Sequence, residues 1–173
     1  VRKTGVRAYL DIETSFSGAI SVIGIYRPDR GTTQLVGAGV RDLPLYDALD
    51  GVSTIVTFNG SSFDLPIIQR RLLVDLKGQF THSDLMYVCR KHNLRGGLKK
   101  IEAAVGIGRE TAGITGYDAP RLWELYERTG DAAAIDTLLR YNREDVINLA
   151  LLEAKLGVIE HCEPCQDVQQ IFA

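Results

Sequence analysis

Asp11 and Glu13 stand two apart in the run Ala8-Tyr-Leu-Asp-Ile-Glu-Thr14, among apolar residues. Such a run reads as a buried strand. Side chains on a strand alternate faces, so the two carboxylates share one face while Leu10 and Ile12 share the other. Neighbouring carboxylates at a strand end repel each other, and they require a protonated partner, a basic neighbour or a metal cation. A cation is the expectation, and it needs further oxygen ligands. Two later segments offer them. Asn59-Gly-Ser-Ser-Phe-Asp64 places an acid where a β-branched run turns into a helix, and Tyr141-Asn-Arg-Glu-Asp145 spaces a phenol and a carboxylate by four within a helical segment. That spacing sets the two side chains about 40° apart around the helix axis, one turn apart on one face. Each motif is weak alone: a strand-edge charge pair explains the first, and a first-turn acid favoured by the helix dipole explains Asp64. Their occurrence together, in this order and each in a suitable element, is the informative feature.

The elements that must position these residues follow from periodicity and turn chemistry. Residues 6–13 form the first strand, 15–18 a loop, and 19–27 and 32–39 two strands joined by the turn Pro28-Asp-Arg-Gly31. A short helix is expected over 43–49, and a central strand over 53–58, bounded by Gly51 and Asn59-Gly60. Ser61-Ser62 offers an N-cap to a helix with apolar positions at Leu65, Ile68, Leu72 and Leu73. A strand over 80–85 runs into a helix through about Lys91, and a helix over 98–105 stops at Gly106. After a loop over 108–117 come a helix over 119–128 and a long one from Asp131 or Ala132 to Leu156, ended by Gly157. A meander followed by strands alternating with helices predicts an α/β or α+β fold, a mixed sheet covered by helices, and α/β is the expectation.

The chain of 173 residues, 45% hydrophobic and 24% charged, has the composition of one ordinary globular domain rather than a disordered or fibrous chain. Its core is expected over 6–156, with a tail over 157–173 that is polar from Glu160. A formal net charge of -2 argues against coating nucleic acid or anionic membrane by bulk electrostatics. It leaves a nucleic-acid enzyme open, because metal-binding acids lower the net charge. Three cysteines make no disulfide framework, so a reducing cytoplasm is the expected location. No apolar run reaches the ~18 residues of a membrane span. Cys162-Glu-Pro-Cys165, preceded by His161, is half of a zinc ribbon at most, and Cys89 reads as a small buried hydrophobe.

The three motifs resemble those of the DEDD exonucleases of the ribonuclease-H-like superfamily, in the tyrosine-bearing (DEDDy) branch. Asp11-Ile-Glu-Thr14 matches the first exonuclease motif, Asn59 to Asp64 the second and Tyr141 to Asp145 the third. The same motifs occur in the proofreading domains of family B DNA polymerases. Closer still, the chain is similar to the bacterial YprB-like predicted exonucleases. That match rests on Val56-Thr-Phe-Asn-Gly-Ser-Ser-Phe-Asp-Leu-Pro66, His82-Ser-Asp84-Leu, Leu98-Lys-Lys-Ile-Glu102 and Gly106-Ile-Gly-Arg109.

The resemblance implies a ribonuclease-H-like fold and a 3′→5′ exonuclease that acts on single-stranded 3′ ends of DNA or RNA. It implies that Asp11, Glu13, Asp64 and Asp145 hold two Mg²⁺ or Mn²⁺ ions, with Asp11 bridging both. Two such ions, about 3.5–4 Å apart, activate water and stabilise the leaving oxygen of a phosphodiester. Tyr141 would orient the attacking water, a safer role than base for a phenol whose ordinary pKa is near 10. Thr14 is a candidate contact to the terminal nucleotide. Asn59 would bond the substrate sugar or organise its own loop, and Phe63 is either a base-stacking side chain or a core anchor. Lys99 and Lys100 would hold phosphates or form a solvated face. Asp84 is a support residue or a further ligand. A non-catalytic nucleic-acid-binding scaffold and a related endonuclease are the alternative functions.

Overall fold

The structure, a computed structural model, describes residues 5–161, excepting the side chains of 158–161. The Cys162–Cys165 pair and the His161 side chain lie outside what is described.

The chain forms an α/β fold around a five-stranded mixed sheet in the order β3-β2-β1-β4-β5. Its strands are β1 (Val6–Thr14), β2 (Ile20–Arg27), β3 (Gly31–Val36), β4 (Val52–Thr57) and β5 (Thr81–Asp84). The first three form the expected antiparallel meander, and β4 and β5 add parallel to β1. β1 is therefore an inner strand, buried on both faces. Ala8, Leu10 and Ile12 join the core under α1 (Asp42–Ala48), α2 (Asp64–Leu72) and α3 (Leu76–Gln79). Tyr9 joins the opposite core, with α4 (Leu85–Lys91), α5 (Leu98–Ala104) and α7 (Ala132–His161). Leu10, Ile23 and Ile25 are fully buried. Each such burial stabilises the fold by about 1.5–3 kcal/mol.

The alternation set at Tyr9 puts Asp11 and Glu13 on the face that α7 crosses. Asp131 starts this helix by accepting from the amides of Ala133 and Ala134 at 2.9 and 3.0 Å. Farther along, Glu153 accepts from Arg7 at 2.6 and 2.9 Å and from the Tyr9 hydroxyl at 2.7 Å, which ties α7 to β1. α6 (Ala119–Thr129) packs Trp123 against Leu138 of α7 and Val22 of β2.

Some expectations need correction. β3 ends at Val36, and a 3₁₀ turn covers Gly37–Gly39. Helix α3 was not foreseen, and Leu73 is exposed in a left-handed conformation that ends α2. Neither Ser61 nor Ser62 caps α2: the helix begins at Asp64 without a side-chain cap, because backbone carbonyls of the preceding loop take its first donors. Gly157 does not stop α7, which continues to His161. A helical glycine costs only about 1 kcal/mol, and the buried Leu152 and Leu156 hold that turn in place.

Candidate active site

β1 runs on to Thr14, but its pairing with β4 ends at Tyr9–Val56. Beyond that point the edge of β1 facing β4 opens into a crevice at the carboxyl ends of both strands, the usual ligand-binding place in open α/β sheets. Asp11, Glu13 and Asp145 converge there, each offering a carboxylate oxygen within 4.8 Å of the others. Asp64 lies beside this group rather than in it. Its Oδ1 accepts from the Ile12 amide at 3.0 Å, satisfying a donor that β4 is too short to reach. Tyr141 is buried one helical turn before Asp145.

The acids have partners that the spacing did not reveal. Asn142 donates through Nδ2 to Asp11 Oδ2 at 3.1 Å, and its Oδ1 accepts from Gln34 of β3 at 3.0 Å. The Asp11 main-chain carbonyl, 3.4 Å from Nδ2, can only accept and the Gln34 amide nitrogen only donates, so this orientation of the amide suits its contacts. Gly24 makes room for it: a Cβ there would lie 2.2 Å from Asn142 Oδ1. Asp84 organises the loop that leads to Asp64. It accepts from the amides of Asn59 at 2.7 Å, Ser61 at 3.0 Å and Met86 at 3.1 Å. Asp84 is thus a support residue, and Asn59, with φ of 62°, shapes the loop through its backbone.

A buried arginine backs Asp145. Arg109 pairs with Glu102 of α5 through two bonds of 2.5 and 2.7 Å and donates to Asp145. Glu144 in turn fixes the Arg109 loop by accepting from Glu110 and Thr111. Lys99 donates to the Ile114 carbonyl and sits 4.2 Å from the Tyr141 ring centroid, a cation–π contact.

Burial sets the electrostatics. It raises Asp11 well above the usual carboxylate range, helped by Glu13, Asp145 and Asp64. It raises Glu13 to about 8, with Asp145 adding repulsion. Asp64 rises to about 7 despite the Ile12 amide, and Asp145 to about 6 despite Arg109. Tyr141 is pushed up by burial and by Asp145, Glu13 and Asp11, so its phenol keeps its proton at neutral pH. Acids in this state await positive charge. Glu13 Oε1 is buried without a hydrogen-bond partner, and the convergent donors are all carboxylate oxygens. Oxygen donors of this kind suit a hard divalent cation, so the residues present fit one.

Two openings lead to the acids. One, of about 200 Å³, is lined by Thr14 and Phe63 together with Asp11, Glu13, Tyr141 and Asp145. The other, of about 370 Å³, is lined by Lys99, Lys100 and Tyr117 with Asp11, Tyr141 and Asp145. The structure therefore brings Thr14, Phe63, Lys99 and Lys100 to the acids, while Asn59 lines neither opening. Phe63 is 45% exposed, which excludes the core-anchor reading. A larger cavity, of about 630 Å³, lies behind Arg109 and contains none of the three clustered acids. Asn142, Gln34, Arg109 and Glu102 were missed as functional residues. Arg109 and Glu102 fell within stretches carrying the family resemblance, but nothing in the spacing pairs them.

A mixed sheet in this order, with acids gathered between its central strand and a long C-terminal helix, defines a ribonuclease-H-like nuclease fold. The chain belongs to the RNase_H superfamily, its residues 8–157 matching the RNase_H_2 family. Among solved structures it is similar to the family B DNA polymerase from the hyperthermophilic archaeon Pyrobaculum calidifontis. The two share 19% identity with a TM-score of 0.70 over 88% of this chain and 24% of the polymerase chain. At that identity the likeness speaks to the fold, and the chain spans about a quarter of the polymerase's length. No curated protein matches the chain.

Proposed function

We propose that this chain is a metal-dependent 3′→5′ exonuclease of the DEDDy branch, of the YprB-like kind. It would remove nucleoside 5′-monophosphates from single-stranded 3′ ends as one cytoplasmic domain. The observation that carries this reading is the convergence of Asp11, Glu13 and Asp145 within 4.8 Å, with Tyr141 one turn away on α7. Asp11, Glu13, Asp64 and Asp145 would hold two Mg²⁺ or Mn²⁺ ions. When bound, such ions supply a water nucleophile at neutral pH and stabilise charge on the leaving oxygen. Asn142 fixes the Asp11 carboxylate, and Arg109 fixes Asp145. Tyr141, protonated, donates the hydrogen bond that orients the water. Thr14 and Phe63 border the terminal nucleotide, and Lys100 contacts phosphate. Lys99 is engaged by the Ile114 carbonyl and the Tyr141 ring, so it shapes the site more than it grips the strand.

The test is digestion of DNA and RNA strands, 5′-labelled when linear and internally labelled when circular, with Mg²⁺, Mn²⁺ or EDTA, and with the released nucleotides identified by chromatography. Linear strands should shorten stepwise from the 3′ end, releasing 5′-monophosphates, with no reaction in EDTA or by Asp11→Ala and Asp145→Ala. Activity retained by either variant would overturn the assignment of the acids. Cleavage of circles would make the chain an endonuclease.

A further inference from the structure

Resting on the nuclease reading, we propose that Tyr117 and Lys100 form a subsite for the second nucleotide of the strand end. Tyr117 would stack its base and Lys100 would hold its phosphate. The two openings meet at Asp11, Gly116, Tyr141 and Asp145, so one strand can pass from the first to the second across the acids. Phe63 borders the first opening, and Tyr117 borders the second.

Tyr117 is 87% exposed, yet its turn is fixed. Asp118 Oδ2 accepts from the amide and hydroxyl of Thr115 at 2.8 and 2.7 Å, and the Asp118 amide donates to the Thr115 carbonyl at 2.9 Å. The Ile114 carbonyl is held by Lys99. An aromatic ring presented on a fixed turn loses little freedom when a base covers it. Gly116, beside it, meets no atom within 4 Å of where a Cβ would be, so the passage between the openings stays clear. Lys100 is exposed on the same wall and makes no ion pair among the described residues. The subsite requires a second nucleotide free of its complement, which ties the site to unpaired ends.

The experiment is equilibrium binding of labelled single strands by fluorescence anisotropy. Ca²⁺ is the only divalent ion, and strand length is verified after each titration. Tyr117→Ala should weaken an intact strand by about 5- to 150-fold, the range of one lost base–aromatic stack, and Tyr117→Phe should bind like wild type. The loss should vanish on a strand abasic at the second position from the 3′ end and persist on one abasic at the terminal position. Equal losses on both abasic strands, or no loss on the intact strand, overturn the proposal. A wild type that binds with this pattern but hydrolyses nothing in Mg²⁺ or Mn²⁺ refutes the nuclease reading and leaves the subsite standing. No binding of any strand refutes both.

Discussion

Replacing Arg109 with Gln should destabilise the metal-free protein by about 3–5 kcal/mol, the cost of removing one partner from a buried ion pair. The upper part of that range fits because several acids depend on this guanidinium. The Arg109 side chain is 8% exposed, while those of Glu102 and Asp145 are 1% and 7% exposed. Glu102 receives two bonds, at 2.5 and 2.7 Å, and Glu144 lies a further 3.9 Å away. Without the cation the buried Glu102 carboxylate loses its ion partner, which is unfavourable. Adding Glu102→Gln should recover part of the loss, so the double variant should be more stable than the sum of the single effects. Saturating Mg²⁺ should also recover part of it, by neutralising Asp145 but not Glu102. Urea unfolding followed by circular dichroism, with and without Mg²⁺, measures all of these. A single variant within about 1 kcal/mol of wild type, or additive single effects, would refute the placement of Arg109 as the charge that holds the site together.

Gly24→Ala should push Asn142 out of its contact with Asp11, because the new methyl would overlap Asn142 Oδ1 and the side chain has no exposed space to enter. Activity should fall by more than the ~1–3 kcal/mol stability loss of an overpacked core explains, as kcat measured beside thermal melting would reveal. Asp84→Ala leaves the amides of Asn59, Ser61 and Met86 unpaired and should cost about 1–3 kcal/mol. Melting reads that cost, and amide exchange should show the loop before Asp64 opening. The raised carboxylates also fix a pH dependence. Asp145, Asp64 and Glu13 hold their protons up to about 6, 7 and 8, so the metal-free fold binds more protons than the unfolded chain. Its stability from these groups is fully present below the ordinary carboxylate range and is lost as pH rises through those values. The melting temperature without metal should therefore fall between about pH 5 and pH 8. Divalent metal should raise it most at the alkaline end and release protons on binding, read by calorimetry in buffers of different ionisation enthalpy.

The parts of the fold and site legible in the sequence are those governed by local periodicity. The alternation in β1 placed Asp11 and Glu13 on one face, and the four-residue spacing in α7 brought Tyr141 and Asp145 to it. The meander was equally plain from turn chemistry, while the parallel pairing of the later strands followed from the family resemblance. What stayed hidden depends on partners far apart in the chain. Asn142 meets Asp11 and Gln34 only after α7 crosses the sheet, and Arg109 reaches Asp145 only once its loop folds against α7. Asp64 meets the Ile12 amide, 52 residues away in the chain, only once β4 lies beside β1. The serine cap and the Gly157 stop failed for a related reason, since local preferences of about 1 kcal/mol yield to tertiary packing.

The most direct test of the central claim is a crystal structure of the protein soaked in Mn²⁺, with anomalous scattering recorded at the manganese edge. Two anomalous peaks should lie among Asp11, Glu13 and Asp145, one within reach of Asp64, with Glu13 Oε1 drawn into coordination. No metal density beside Asp11, with the three carboxylates arranged as they are without it, would contradict a metal-dependent site.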